Sequence, residues 1–225
     1  MHYYVALTDD NLTVRPEEYP GRPVPGPGLL HDGRFSATVD IDDLDVALRI
    51  RELPDLAGRT AVLTVGSNAC AAVVLRKLES VGVDSAVPFL AGIATGISVG
   101  HSAHRSVAGF IPAAPYETTG TRNTVIVNMF SDDQLAAIDA TEPNYHRITI
   151  GCAVPGRDTA ELYVSRRGVI AVPDGPVLPL MAQPDLFRRL TEQCRGFREA
   201  SAEVGTQAIA ELLIEQGWAR DAGLE

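Results

Sequence analysis

The stretch AVLTVGSNACAAVVLRKL, residues 61–78, changes character at its centre. Up to Val65 it is an apolar run rich in β-branched residues, which favours a pleated, half-buried surface. It breaks at Gly66-Ser67-Asn68 and resumes with Ala71, Val74, Leu75 and Leu78 at helical spacing, while Arg76, Lys77 and Glu79 collect elsewhere. RTAVLTV therefore reads as a core strand, Gly66 as a sharp exit, and Ser67 or Asn68 as the helix cap. Gly82 stops the helix. A turn of this kind has two readings. It is geometry and capping alone, or it is a group of backbone amides fixed in one direction, ready for a carboxylate or a developing oxyanion.

Away from this turn the strands outnumber the helices. YYVALT (3–8) opens as a strand, and prolines at 16, 20, 23, 25 and 27 make the next segment extended and irregular. RFSATVDI is a second strand and DLDVALRIREL a short helix. AVPFLAGIATGISVG and SVAGFIPAAPY, interrupted by Gly and Pro, read as short bent or edge strands; NTVIVNMF is the clearest later one. Ser131 and Gln134 in SDDQ have capping-box spacing, so a short helix starts there. Pro143 ends it by Glu142. YHRITIGCAV and ELYVSRRGVIAV return to strand, and PDLFRRLTEQC and TQAIAELLIEQGW are helical, with Trp218 a packing or interface anchor.

The fold class expected is α+β. A mixed, mostly antiparallel sheet, curled or closed into a partial β-barrel, carries flanking helices and C-terminal helices. Residues 1–225 are expected to form a single domain. Residues 1–60 are an N-terminal extension or wrapping arm, 61–175 the core, and 184–220 a C-terminal helical segment.

Nineteen Lys and Arg against 29 Asp and Glu give a net charge of −10, which argues against nucleic acid as a partner. No apolar run approaches the roughly 18 residues of a membrane span. MHYYVALTDDNL has no basic region and no long apolar stretch, so no signal peptide is expected, and three cysteines make no dense framework. Cys70, Cys152 and Cys194 are expected to be reduced thiols in a soluble, cytoplasmic protein. There is no G-x-G-x-x-G or Walker run. His101 and His104, in GHSAHRS, lack a third ligand at a recognisable spacing, so no metal is expected. They are placed at a surface loop near a cleft, where one touches substrate. Cys70, at a helix start, could be an activated thiol near His146 or a small residue packed under a sheet.

Glu142, in DATEPNY, lies at the carbonyl end of a short helix. The dipole there disfavours added negative charge, which suits a carboxylate meant to accept a proton. Tyr145 and Arg147 share one face of the following strand, with Arg147 beside or paired with Asp139. Ser106, Tyr116 and Arg122 are further wall candidates.

VGSN at 65–68 before a helix, followed by VIVNMFSDDQLAAIDATEPNYHRITI at 125–150, resembles the γ-glutamylcyclotransferase-like family. The likeness rests on a Y-G-S-N type turn and an L-D-x-x-E…Y-x-R type segment, in that order. It implies a barrel-like mixed sheet and a cofactor-independent site. Gly66, Ser67, Asn68 and Tyr145 would bind a small γ-glutamyl or amino-acid-amide substrate, with Glu142 as general acid/base. The implied reaction is attack of the substrate's α-amine on its own side-chain carbonyl, releasing an amine and 5-oxoproline. Val65 stands where the family has an aromatic residue, some sixty residues precede the motif strand, and Pro143 replaces a customary glycine. The alternative is a non-catalytic member acting as a binding or assembly module, its pocket filled by the arm of residues 10–35 or by Pro143. A homo-oligomer is left open as an expectation.

Overall fold

The computed structural model describes residues 3–5, 7, 11–38, 40–203 and 207–224. In chain order the elements are β1 (Tyr3–Val5), β2 (Gly28–His31), β3 (Arg34–Ala37), α1 (Ile41–Ile50), β4 (Thr60–Thr64) and α2 (Ala71–Glu79). Then come β5 (Val87–His101), β6 (Ala113–Phe130), α3 (Asp132–Ala140), β7 (Tyr145–Val154), β8 (Arg157–Ser165) and β9 (Val169–Ile170). The chain closes with α4 (Gln183–Gln193), α5 (Phe197–Ala202), α6 (Gln207–Glu215) and β10 (Ala219–Arg220). Ala6, Thr8, Val39 and Thr206, which the sequence reading placed in elements, lie outside the described residues.

The sheet runs β1-β3-β2-β5-β6-β4-β8-β7, and β7 pairs back onto β5, so five strands close into a barrel. Every pairing in it is antiparallel except β4 with β8. This is the α+β, curled and closed sheet expected, with helices on its flank. The arm's hairpin β2–β3 extends the sheet beside the start of β5.

Two strands are longer than the sequence suggests. The Gly- and Pro-interrupted segments are not short edge strands but parts of two long ones, of 15 and 18 residues, paired along most of their length. Glycine does not end the ladder here. Gly96, at φ +78, absorbs the register shift between Thr95 and Ile97, bending the pair without breaking it. Gly92 faces the interior, where a Cβ would meet Val127, Cys152 and Val154 at 3.0 to 3.3 Å, so its lack of a side chain lets the barrel close tightly.

Alternation along β4 separates two cores. Ala61 and Leu63 point into the barrel with Leu90, Val127, Met129 and Leu162, capped by Leu44 and Leu48 of α1. Val62 points outward to Val74, Leu78, Leu135 and Ile138, the apolar faces of α2 and α3. The capping box at Ser131 and Gln134 forms as the sequence indicated. A third cluster packs Leu186, Phe197, Ile209, Leu213 and Trp218 against Ile111 and Ile170, so Trp218 is buried within its own chain. Among the described residues no helix is long and apolar enough to cross a membrane.

Candidate active site

The closed barrel brings distant segments to one end. Because β4 and β8 run parallel, the Gly66 turn after β4 emerges on the same side as Ser165 at the end of β8. Tyr145, at the start of β7, pairs with Ser165, which places Glu142 in the loop above it. A cavity of about 660 Å³ lies there, and Gly66, Ser67, Asn68, Glu142, Pro143 and Tyr145 all line it. The arm contributes one wall through Leu12, Thr13 and Tyr19 and does not fill the space.

The turn differs from the capping reading. Ser67–Ala69 form a single 3-10 turn, and α2 starts at Ala71 with Cys70 as an N-cap residue that makes no side-chain cap. The Asn68 side chain is directed elsewhere: its amide donates to Glu142 Oε1 at 3.1 Å, and its oxygen accepts from Lys77 Nζ at 2.8 Å. Asn128 Nδ2 holds the Asn68 carbonyl at 2.8 Å, which fixes the residue from behind. Lys77 Nζ also reaches Glu142 Oε1 at 2.7 Å, with both side chains largely buried. The carboxylate is therefore not isolated at a helix end but held in an ion pair and a hydrogen bond to the turn.

Behind it stands a positioning network. Asp139, on the last turn of α3, receives both ends of the Arg147 guanidinium at 2.8 and 3.1 Å, and the Tyr163 hydroxyl at 2.6 Å. Burial, reinforced by the bond to Asp139, holds the Tyr163 phenol well above its ordinary range, so it remains a donor. The bidentate grip fixes the helix end from which Glu142 departs. Burial likewise raises Tyr145, whose hydroxyl donates to the Ala113 carbonyl at 2.9 Å.

The histidines separate. His104 lines the cavity and meets the Tyr145 ring edge-on at 5.9 Å, while His101 is buried and accepts from the Met181 N–H at 3.0 Å. Neither lies on a surface loop as the sequence suggested. Ser102 Oγ contacts His104 Nδ1 and Ser165 Oγ, each at 2.6 Å. Burial pushes both imidazoles down from 6.5 to about 4. Between those values the unfolded chain binds protons that the folded one excludes. Stability contributed by the neutral rings is complete above about pH 6.5 and is lost as pH falls toward 4. The loss is on the order of 3 kcal/mol for each ring once the shift is fully expressed. Urea unfolding from pH 7 to 4.5 is expected to show it, and His104→Gln to make that pH dependence about half as steep. An unchanged slope in the variant would remove His104 from the account.

Cys70 is fully buried, its thiol donating to the Pro20 carbonyl at 3.2 Å, which matches the packed reading. All three cysteines are buried thiols outside any disulfide. Ser106 lines the cavity, Tyr116 lines a second hollow of about 500 Å³, and Arg122 lines neither.

Two residues escaped the sequence reading. Lys77 looked like part of the solvated face of α2, and only its spacing from Asn68, two and a half helical turns, hinted at the turn. Tyr19 sat in a proline-rich run with no periodicity. Its ring stacks on Phe110 at 4.2 Å, and its hydroxyl accepts from the Ala113 N–H at 2.8 Å and faces the Ser67 N–H. A Cβ on Gly66 would collide with that hydroxyl. Gly66→Ala is therefore expected to cost about 1–3 kcal/mol, as overpacking does. Tyr19→Phe in the same chain should recover part of it, since the ring carbon beneath the hydroxyl stands at an ordinary 3.5 Å. Additive losses in a thermal double-mutant cycle would contradict the collision.

No protein-family model matches the sequence, and no curated protein matches it. Solved structures of similar arrangement exist. One is a solution structure from Arabidopsis thaliana, 18% identical, covering 65% of this chain and 95% of that one, with a TM-score of 0.40. A second solution structure from Arabidopsis thaliana is 16% identical over 62% of this chain and 80% of that one, also at 0.40. A gamma-glutamyl cyclotransferase is 12% identical over 69% of this chain and 98% of that one, at 0.41. Likenesses this distant assign no residue a role, and the fold stands on the strand order itself.

Proposed function

We propose that the chain is an enzyme that cyclises γ-glutamyl amides, releasing an amine and 5-oxoproline. The observation that carries this reading is the direct bond between Asn68 and Glu142, from motifs 74 positions apart, on the wall of one cavity. In the proposed step the substrate's α-nitrogen attacks its own side-chain carbonyl carbon. One proton is taken from the α-ammonium to free its lone pair and is handed to the departing nitrogen as the new C–N bond closes the five-membered ring and the old amide C–N bond breaks, while the second proton shed by the ring nitrogen leaves with the amine as its ammonium. Glu142 is the group proposed to carry the first proton. Lys77 compensates the carboxylate before substrate enters, and the substrate's ammonium would share or take over that place. Both reacting groups belong to one molecule, so alignment supplies much of the rate. The turn at Gly66–Asn68 and Tyr145 are proposed to hold the γ-glutamyl part, and the apolar wall of Leu12, Val73 and Phe110 the amine part.

The test is 5-oxoproline release from a panel of γ-glutamyl amines and dipeptides, followed by chromatography. Release from at least one member, saturable in substrate, is expected. Failure across the whole panel would leave the second reading, a binding module. What favours that reading is Tyr19, whose oxygen already occupies the Ala113 amide beside the turn.

A further inference from the structure

The backbone amides beside the Gly66 turn are not bare. Ala113 N–H donates to the Tyr19 hydroxyl at 2.8 Å, and the Ser67 N–H is turned to the same oxygen. A phenol accepts through its oxygen and has one proton to give. Among the described residues the hydroxyl donates no hydrogen bond, although the side chain is almost fully buried. Tyr19 lines the cavity shared by Asn68 and Glu142, and the Glu142 charge is close enough to act on it. Gly66 leaves room for the hydroxyl, and Phe110 fixes the ring by stacking. The placement is built from three segments and leaves one polar hydrogen unused.

We propose that Tyr19, carried in by the N-terminal arm, is the oxyanion donor of the site, giving its phenol proton as a hydrogen bond to the γ-glutamyl carbonyl oxygen as that oxygen gains charge. This rests on the reaction proposed above. The physics favours a relay over a plug. The Ala113 N–H donating to the oxygen, with the Ser67 N–H turned toward it, polarises the O–H bond, so the backbone dipoles reach the ligand through the phenol. Burial raises the phenol well above its ordinary range, so it stays protonated and remains a donor at neutral pH. A preorganised neutral donor of this kind stabilises charge that appears only in the transition state.

Tyr19→Phe keeps the ring on Phe110 and removes only the hydroxyl. The expected result is a fall in kcat of about 10²-fold for 5-oxoproline release, with KM nearly unchanged. A rise in KM with kcat intact would mean ground-state binding only and overturn the transition-state role. Unchanged kinetics, or faster turnover and tighter binding, would also overturn it, the latter marking Tyr19 as a plug. Calorimetric titration with 5-oxoproline, read beside the kinetics, separates this inference from the reaction itself. A wild type that binds 5-oxoproline yet releases no product overturns the reaction and the donor role with it, whereas a wild type that releases product with kcat unmoved by Tyr19→Phe overturns the donor alone. No binding by the wild type overturns both. Should the variant not fold, wild-type protein carrying tyrosine labelled with ¹³C at Cζ gives the answer: the Tyr19 resonance shifts on adding 5-oxoproline if the proton finds an acceptor, and a stationary signal overturns the proposal.

Discussion

Glu142→Gln is expected to lower kcat for 5-oxoproline release by about 10²- to 10⁴-fold, the usual reach of a positioned acid/base group. The variant is chosen to separate charge transfer from architecture. A carboxamide oxygen can still accept from Lys77 Nζ and Asn68 Nδ2, which lie 2.7 and 3.1 Å from the present carboxylate oxygen. The grip of Arg147 and Tyr163 on Asp139 is untouched, so the helix end stays in place. What disappears is the capacity to take a proton and return it. KM should change little, because the lost interaction belongs to the transition state. Retention of full activity would remove Glu142 from the chemistry, whatever its place in the cavity.

The second large effect concerns stability. Arg59→Met is expected to cost about 2–4 kcal/mol, because it preserves most of the volume but leaves buried carbonyls without donors. Arg59 is 3% exposed and sits one residue before β4. Its guanidinium donates to the carbonyls of Pro54 at 2.9 Å, Ala86 at 3.1 Å and Met129 at 3.2 Å, and to Gln134 Oε1 at 3.0 Å. Gln134 is also the capping-box residue of α3, accepting from the Ser131 N–H. One buried cation thus ties the start of β4, the end of β6 and the first turn of α3. Burial lowers its pKa, while Asp84 and Asp55 offset part of that. Urea unfolding at neutral pH measures the loss; an unchanged midpoint would mean that the carbonyls find water or other partners at no cost.

Much of the fold was legible because its signals are local. The β4 strand, the break at Gly66 and the α2 helix follow from a change in apolar period within eighteen residues. The capping box at Ser131 and the stop before Pro143 are written in four-residue patterns. The long strands β5 and β6 were misread as fragments, because Gly96 and the prolines look like terminators until the partner strand is present to carry the ladder across. The Arg147–Asp139 pair was within reach for the opposite reason: a helix end and the following strand leave few places for two side chains eight positions apart.

The candidate site divides along the same line. Residue types and order alone selected Gly66, Ser67, Asn68, Glu142 and Tyr145, since each stands in a short recognisable pattern. Whether they share a hollow depends on the parallel pairing of β4 with β8 and the return of β7 to β5, which no local pattern encodes. Lys77 against the carboxylate and Tyr19 against the amides belong wholly to tertiary structure. A hydrogen bond between segments almost a hundred residues apart leaves no periodicity behind, because its energy comes from geometry set by strands elsewhere.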